Sequence, residues 1–377
     1  MVTDDGPRSL GRVTIVLVPG VRTWWLAVAL GGAAAALGVG GWRARRSAVG
    51  GVLAASAVLA CGAGVALGWG AATGYVPDAH AVALLLRSRL PMPAALPEGS
   101  QAEPPHPTSA TRGATWRVRI PATASGVGDR YAWVHVPPGY DQEPGRRYPV
   151  VYLWHGSPGT GADWFAAGEV DRTVDALVAG DRLAATIVVA PDLGLGLDQE
   201  PLDRPGGAQL ATFATRDVVG WADDHLRTVP DAGHRVLGGM SAGAYGALVV
   251  GVQRPDLFGA VVGVLPYERP SEDDLRQGAA GGAPSTPAAA IDAAHDAGLD
   301  PVPVYLVAAS KDDPDAARAL GRTLRAAHHD VRALVRPGHH DWRFAREQVG
   351  PGLVWAEQAL GLAPSPVSAP RDARRGT

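Results

Sequence analysis

Two uncharged, apolar runs stand near the amino-terminal end of the sequence, Thr23 to Trp42 and Ser47 to Pro77. Each is long enough for a helix of the roughly 20 residues that a bilayer core demands. Further along, short runs rich in β-branched and aromatic residues alternate with Ala- and Leu-rich stretches. Tyr148–Trp154, His234–Met240, Ala260–Leu265, Val302–Ser310 and Val331–Val335 read as strands. A small-residue stretch from Ala242 to Val252 and another from about Pro314 to His328 read as helices. Strands and helices in this order predict an open, mostly parallel α/β sheet, with the apolar runs as a separate N-terminal element.

The apolar runs predict two membrane crossings, at about 23–42 and 47–70, within an anchor of residues 1–90. Trp24, Trp25, Trp42 and Trp69 fall near their ends, where interfacial tryptophans belong, and the abundance of Gly suits close helix packing. A cleaved signal peptide accounts for the first run but gives the second no role. Val13–Val18 is too short to span. The basic loop Arg43-Ala44-Arg45-Arg46 argues for a cytoplasmic hairpin, while Arg8, Arg12 and Arg22 on one flank and Arg87 and Arg89 on the other compete with it. Residues 91–113, dense in Pro, Ser, Ala and Glu, read as a linker. Residues 114–362 then form the folded domain and 363–377 a disordered tail.

Candidate chemistry centres on Gly239-Met240-Ser241-Ala242-Gly243, a Gly-x-Ser-x-Gly motif between a strand and a helix. This is the layout of a nucleophile elbow, with Ser241 at the tip of a turn so tight that Gly239, Gly243 and Gly246 must let the backbones approach. With Gly at 49 of 377 positions, chance flanks any one serine this way with a probability of roughly 0.02. The context therefore carries the assignment. Upstream, the strand ending at Trp154 feeds His155-Gly156-Ser157-Pro158-Gly159, a loop whose Ser157 N–H, or Gly156 N–H, would pair with the N–H of Ala242 as oxyanion donors. His155 reads as a structural hydrogen-bonder. Downstream, Asp312 and Asp313 stand where a strand stops, and His339 and His340 follow the next strand. The order Ser, Asp, His is that of an α/β-hydrolase triad, in which the His is general base and the Asp fixes its tautomer. His328 and His329 read as solvated.

These segments resemble the putative-esterase family of α/β-hydrolases, which includes esterase D-like enzymes and the antigen 85 mycolyltransferases. The resemblance rests on Val134–Asp141, Arg147–Val150 through His155-Gly156, Gly239–Gly243, Arg254–Ala260 and Gly338-His339-His340-Asp341-Trp342, and covers about Trp116 to Leu360. It implies the α/β-hydrolase fold, His340 as base, Asp312 as acid, and an acyl-Ser241 intermediate formed on an acyl-ester substrate. Simple ester hydrolysis is the leading version. Acyl transfer to a cell-envelope sugar and a non-catalytic protein that retains the fold are the alternatives. Membrane-anchored relatives also imply a domain held outside the cytoplasm. Where relatives carry a loop Cys, this chain has Pro201, which excludes a disulfide there. Asp198, Glu200 and Asp203 in the same loop read as a solvated acidic stretch more readily than as a cation site.

The formal net charge of −3 gives no reason to expect a nucleic-acid partner. Lys311 is the sole lysine, a bias that fits a GC-rich, actinobacterial genome and lowers the weight of arginine clusters. The lone Cys61 excludes an internal disulfide. No metal or cofactor is expected. Ser271–Pro287 reads as a loose surface loop, and Trp164, Phe165 and Trp342 as walls of an acyl pocket or as core.

Overall fold

The computed structural model describes residues 23–44, 47–89, 104, 106–194, 200–271, 273–276 and 282–362. Val13–Val18, Asp198, most of the Pro/Ser-rich stretch and the 363–377 tail lie outside the described residues. The chain divides into two compact units, one reaching Ala71 and including Val76–Ala83, the other formed by Ala72–Tyr75 and the residues from Leu84 onward.

The first unit holds a hairpin of α1 (Thr23–Arg43) and α2 (Ala48–Thr73), of which the last two residues of α2 count with the second unit. Glycine is what lets the two approach. A Cβ on Gly41 would lie 3.0 Å from Ala54 N, and one on Gly64 would lie 3.2 Å from Ala27 O, so small residues form the seam. The outward positions are apolar and bare: Val58, Leu59, Val65, Trp42 and Trp69 are all exposed. Among the described residues one helix, Ala48–Ala71, meets the length and hydropathy of a membrane span, with mean hydropathy 2.0 and little of it buried. Helix α3 (Ala79–Arg89) follows.

The second unit is built on one eight-stranded sheet. Its elements in chain order are β1 (Ala114–Ile120), β2 (Arg130–Val136), β3 (Val150–Trp154), α4 (Asp163–Ala166), α5 (Val170–Ala179), β4 (Ile187–Pro191), α6 (Leu210–Thr212), α7 (Val218–His225), β5 (Arg235–Met240), α8 (Ala242–Gly251), β6 (Ala260–Val264), α9 (Asp273–Arg276), α10 (Pro287–Asp296), β7 (Val304–Ala309), α11 (Pro314–Ala326), β8 (Val331–Arg336) and α12 (Trp342–Ala359). The strand order is β1-β2-β4-β3-β5-β6-β7-β8. β2 runs antiparallel to both neighbours, and the remaining pairs are parallel. β3 to β7 are buried along their whole lengths, as continuous apolar strands covered on both faces must be. Edge strand β8 is half exposed and carries outward Arg332 and Arg336, charges that discourage pairing with another chain.

Strand order reverses about β3, because β4 lies to one side of it and β5 to the other. In open α/β sheets a site forms at such a switch, outside the carboxyl ends of the strands. Register puts Trp154 beside Gly239, so the chain leaves β3 and β5 side by side.

Several loops are more built-in than their sequence predicts. Glu200 is fully buried and accepts from Tyr267 Oη at 3.1 Å and Ser271 Oγ at 2.7 Å. Asp203 accepts from Thr212 N and Oγ1, so neither belongs to a solvated acidic stretch. In the segment read as a loose loop, Asp273–Arg276 is helical and Ser285 is buried, its carbonyl taken by Tyr245 Oη. At the end of the Pro/Ser-rich stretch, Thr108 N donates to Asp141 and Gly113 N to Asp175. His329 is buried and its Nδ1 donates to Val302 O at 2.9 Å; it is not a solvated side chain.

Candidate active site

Ser241 occupies the turn between β5 and α8 with φ 55° and ψ −120°. A non-glycine residue there stores about 1–3 kcal/mol of strain and persists only when its surroundings fix it. They do so on three sides. Ser241 N–H donates to Val264 O at 2.9 Å, and Ser241 O accepts from Tyr245 N at 2.9 Å. A Cβ on Gly239 would strike Gly243, one on Gly243 would strike Trp154 O, and one on Gly246 would strike Pro201. The three glycines therefore have the role their spacing predicts.

Two further loops close on the serine. Ser310 N donates to Arg336 O and Lys311 N to Gly338 O, which ties the loop after β7 to the loop after β8. Asp312 and His340 project from these paired loops. Ser241 Oγ donates to His340 Nε2 at 2.9 Å, and His340 Nδ1–H donates to Asp312 Oδ2 at 2.8 Å. The imidazole is thus held in the tautomer whose Nε2 lone pair faces the hydroxyl. Its side chain is 40% exposed and that of Asp312 23% exposed, so the chain of three opens toward solvent on the histidine side.

The neighbouring residues that left the sequence reading ambiguous have other work. Asp313 caps α11, accepting from Ala316 N at 3.0 Å, with Pro314 at the first helical position. His339 is exposed, and its carbonyl accepts from Asp341 N. Asp341 caps α12 through Phe344 N.

On the β3 side, the Ala242 amide stands at the first position of α8, among the N–H groups that helix geometry leaves without an intrahelical acceptor. Gly156 approaches from the opposite loop: a Cβ there would lie 3.4 Å from Ser241 Cβ. Ser157 follows it, joined to Pro158 by a cis peptide. His155 is buried, donating from Nδ1 to Gly156 O at 2.8 Å and accepting at Nε2 from Leu193 N at 2.9 Å. Burial pushes its pKa down to about 4, so it is a neutral strut and not a base. Trp164 and Phe165 are fully buried core residues, and Trp342 meets Trp164 edge-on at 5.2 Å.

Two carboxylates that hold this loop were not singled out from the sequence as site residues. Buried Asp163 accepts from Thr160 N at 2.9 Å, and buried Asp192 accepts from Gly161 N at 2.6 Å. Burial, with the charge of Asp163 adding to it, pushes the Asp192 pKa up to about 7. Asp192 stands where β4 stops, so the strand-edge rule that selected Asp312 also selects it. Among the described residues no group of three or more His, Cys, Asp or Glu is placed to hold a metal ion.

The sheet topology, the glycine-lined turn and the loops gathered at its carboxyl edge define the α/β-hydrolase fold. The chain belongs to the family described as Putative esterase, which matches residues 127–350, more than half its length. An esterase of Mycobacterium tuberculosis is 35% identical over 108 residues, 28% of this chain and 22% of that protein. An uncharacterised protein of Corynebacterium glutamicum is 28% identical over 150 residues, 40% of this chain and 35% of the relative. The chain thus spans well under half the length of the curated relatives it matches. Among solved structures, a ferulic acid esterase superposes with TM-score 0.57 at 23% identity, over 67% of this chain and all of that one. An S-formylglutathione hydrolase from Agrobacterium tumefaciens does so with TM-score 0.53 at 18% identity, over 67% and 98%.

Proposed function

We propose that the protein hydrolyses a carboxylic ester through an acyl-Ser241 intermediate. The observation that carries this reading is the strained Ser241, whose hydroxyl is in line with His340 and Asp312 at 2.9 and 2.8 Å. His340 Nε2 takes the proton as Ser241 Oγ attacks the ester carbonyl, and Asp312 stabilises the imidazolium that forms. The N–H of Ala242, with that of Ser157 or Gly156, receives the negative charge on the former carbonyl oxygen. The proton then passes to the departing alkoxide, and the same base activates water against the acyl-enzyme. The bare apolar surface of α2 supports anchoring in a membrane, with α1 as a second crossing and the esterase unit outside the cytoplasm.

Full-length protein in detergent tests this with a fluorophosphonate and a series of p-nitrophenyl esters. Ser241→Ala abolishes labelling and lowers turnover by about five to six orders of magnitude, His340→Ala loses a comparable amount, and His339→Ala loses little. Equal labelling of Ser241→Ala, or a wild-type protein inert to both reagents, overturns the reading.

A further inference from the structure

Two buried carboxylates, Asp163 and Asp192, take amides of the loop from Gly156 to Asp163, and one of them has a partner from a distant part of the chain. Tyr75 Oη donates to Asp163 Oδ1 at 2.7 Å across 88 residues of sequence. Asp163 is 2% exposed, and its second oxygen takes Thr160 N–H. The same oxygen leaves no room for a side chain on the loop, since a Cβ on Gly159 would lie 2.7 Å from Asp163 Oδ2 and 3.2 Å from His155 Nδ1. Asp163 is therefore the hub about which the loop folds, and Tyr75 fixes that hub.

Tyr75 comes two residues after the last residue of α2, at Thr73. Gly74 aims it, at φ 76°, where a Cβ would lie 2.8 Å from Arg343 Cβ and 3.1 Å from Arg343 N. That turn needs glycine both for its conformation and for the close approach. Arg343 lies in the first turn of α12, three residues after His340. The pair Gly74-Tyr75 therefore touches the two segments that carry the proposed oxyanion donor and the proposed base.

We propose that Tyr75 is a positioning residue for the oxyanion loop, acting through Asp163, so that the segment immediately following the apolar helix belongs to the catalytic machinery. This rests on the reading of Ser157 or Gly156 as an oxyanion donor. The Tyr75 hydroxyl turns the Asp163 carboxylate so that its other oxygen meets Thr160 N–H, and the loop then presents its earlier amides at the height of the carbonyl under attack. Loss of the hydroxyl leaves the carboxylate one donor short and lets it rotate toward the remaining ones. A sub-ångström displacement of an oxyanion donor weakens the transition state and leaves substrate binding nearly unchanged.

The test is a double-mutant cycle in the full-length protein, with p-nitrophenyl ester kinetics, fluorophosphonate labelling and thermal melts on every variant. Tyr75→Phe, which removes one oxygen and keeps the ring, lowers kcat on the order of tenfold with KM within about twofold. Asp163→Asn lowers it at least as far, and the double variant is no worse than Asp163→Asn alone, because the two act as one unit. Additive losses, a Tyr75→Phe kcat equal to wild type, or a loss that follows the melting temperature among Tyr75→Phe, Tyr75→Leu and Gly74→Ala, overturn the positioning role. These outcomes leave Ser241-dependent labelling of the wild type intact, whereas a wild type that is not labelled removes the esterase reading together with this one.

Discussion

Asp312 and Asp313 are adjacent and chemically identical, yet the structure gives them separable tasks, which makes them a sharp test of the proposed triad. Asp312→Asn replaces the carboxylate 2.8 Å from His340 Nδ1 by a neutral amide. Two unit charges about 4 Å apart attract by about 4 kcal/mol at an effective dielectric of 20. Solvent reaching a ring that is 40% exposed screens this, down to about 1.5–3 kcal/mol, that of a hydrogen bond to a charged group. The imidazolium of the transition state loses that stabilisation, so kcat falls by about two orders of magnitude. The loss is smaller than the roughly 10⁴ characteristic of a fully buried aspartate in this role. Asp313→Ala instead removes the cap of α11. It costs about 1 kcal/mol of stability, a drop of about 2–4 °C in Tm for a domain of this size, with kcat within about twofold of wild type. Steady-state kinetics on a p-nitrophenyl ester and melts by intrinsic fluorescence separate the two. A large rate loss in Asp313→Ala with normal turnover in Asp312→Asn would refute the assignment.

Two further outcomes follow. Glu357 accepts from Ala184 N and Thr186 Oγ1 in the core, and burial pushes its pKa up to about 7. The unfolded carboxyl ionises first, so the stabilisation present below its unfolded pKa is lost as pH rises toward 7. Glu357→Gln, whose side chain is neutral at every pH, therefore melts close to wild type at pH 5 and gains on it at pH 8, and a difference independent of pH would contradict the shift. For topology, an exterior-active reporter fused after Gly113 is active and one fused at Ala44 is not; the reverse pattern places the esterase unit in the cytoplasm.

The tight turn at Ser241 was legible because most of its constraint is local: the clashes avoided at Gly239 and Gly243 are with the same turn and the strand beside it, and only Gly246 makes way for a distant residue, Pro201. Asp313 was legible in retrospect from Pro314, since an aspartate before a proline marks a helix start, which leaves Asp312 for the histidine. Glu200 was not legible. Its partners Tyr267 and Ser271 lie about seventy residues away, and a sequence window cannot show that an acidic loop folds inward. His329 was misread for the same reason, because its acceptor Val302 belongs to a different connection. Tyr75 gave no signal as a site residue, being a single aromatic at the end of an apolar run.

Each of the three proposed catalytic side chains stands at the start of a helix: Ser241 is itself the N-cap of α8, Asp312 precedes the cap of α11, and His340 precedes the cap of α12. The helices run back from this edge, so their far ends, and the links from Asp296 to Val304 and from Ala326 to Val331, lie at the other edge of the sheet. Insertions there lengthen the chain without moving any of the three groups. For protein engineering this divides the molecule into a face where a purification tag or a fused domain is tolerated and a face where a single added residue shifts the geometry of the reaction.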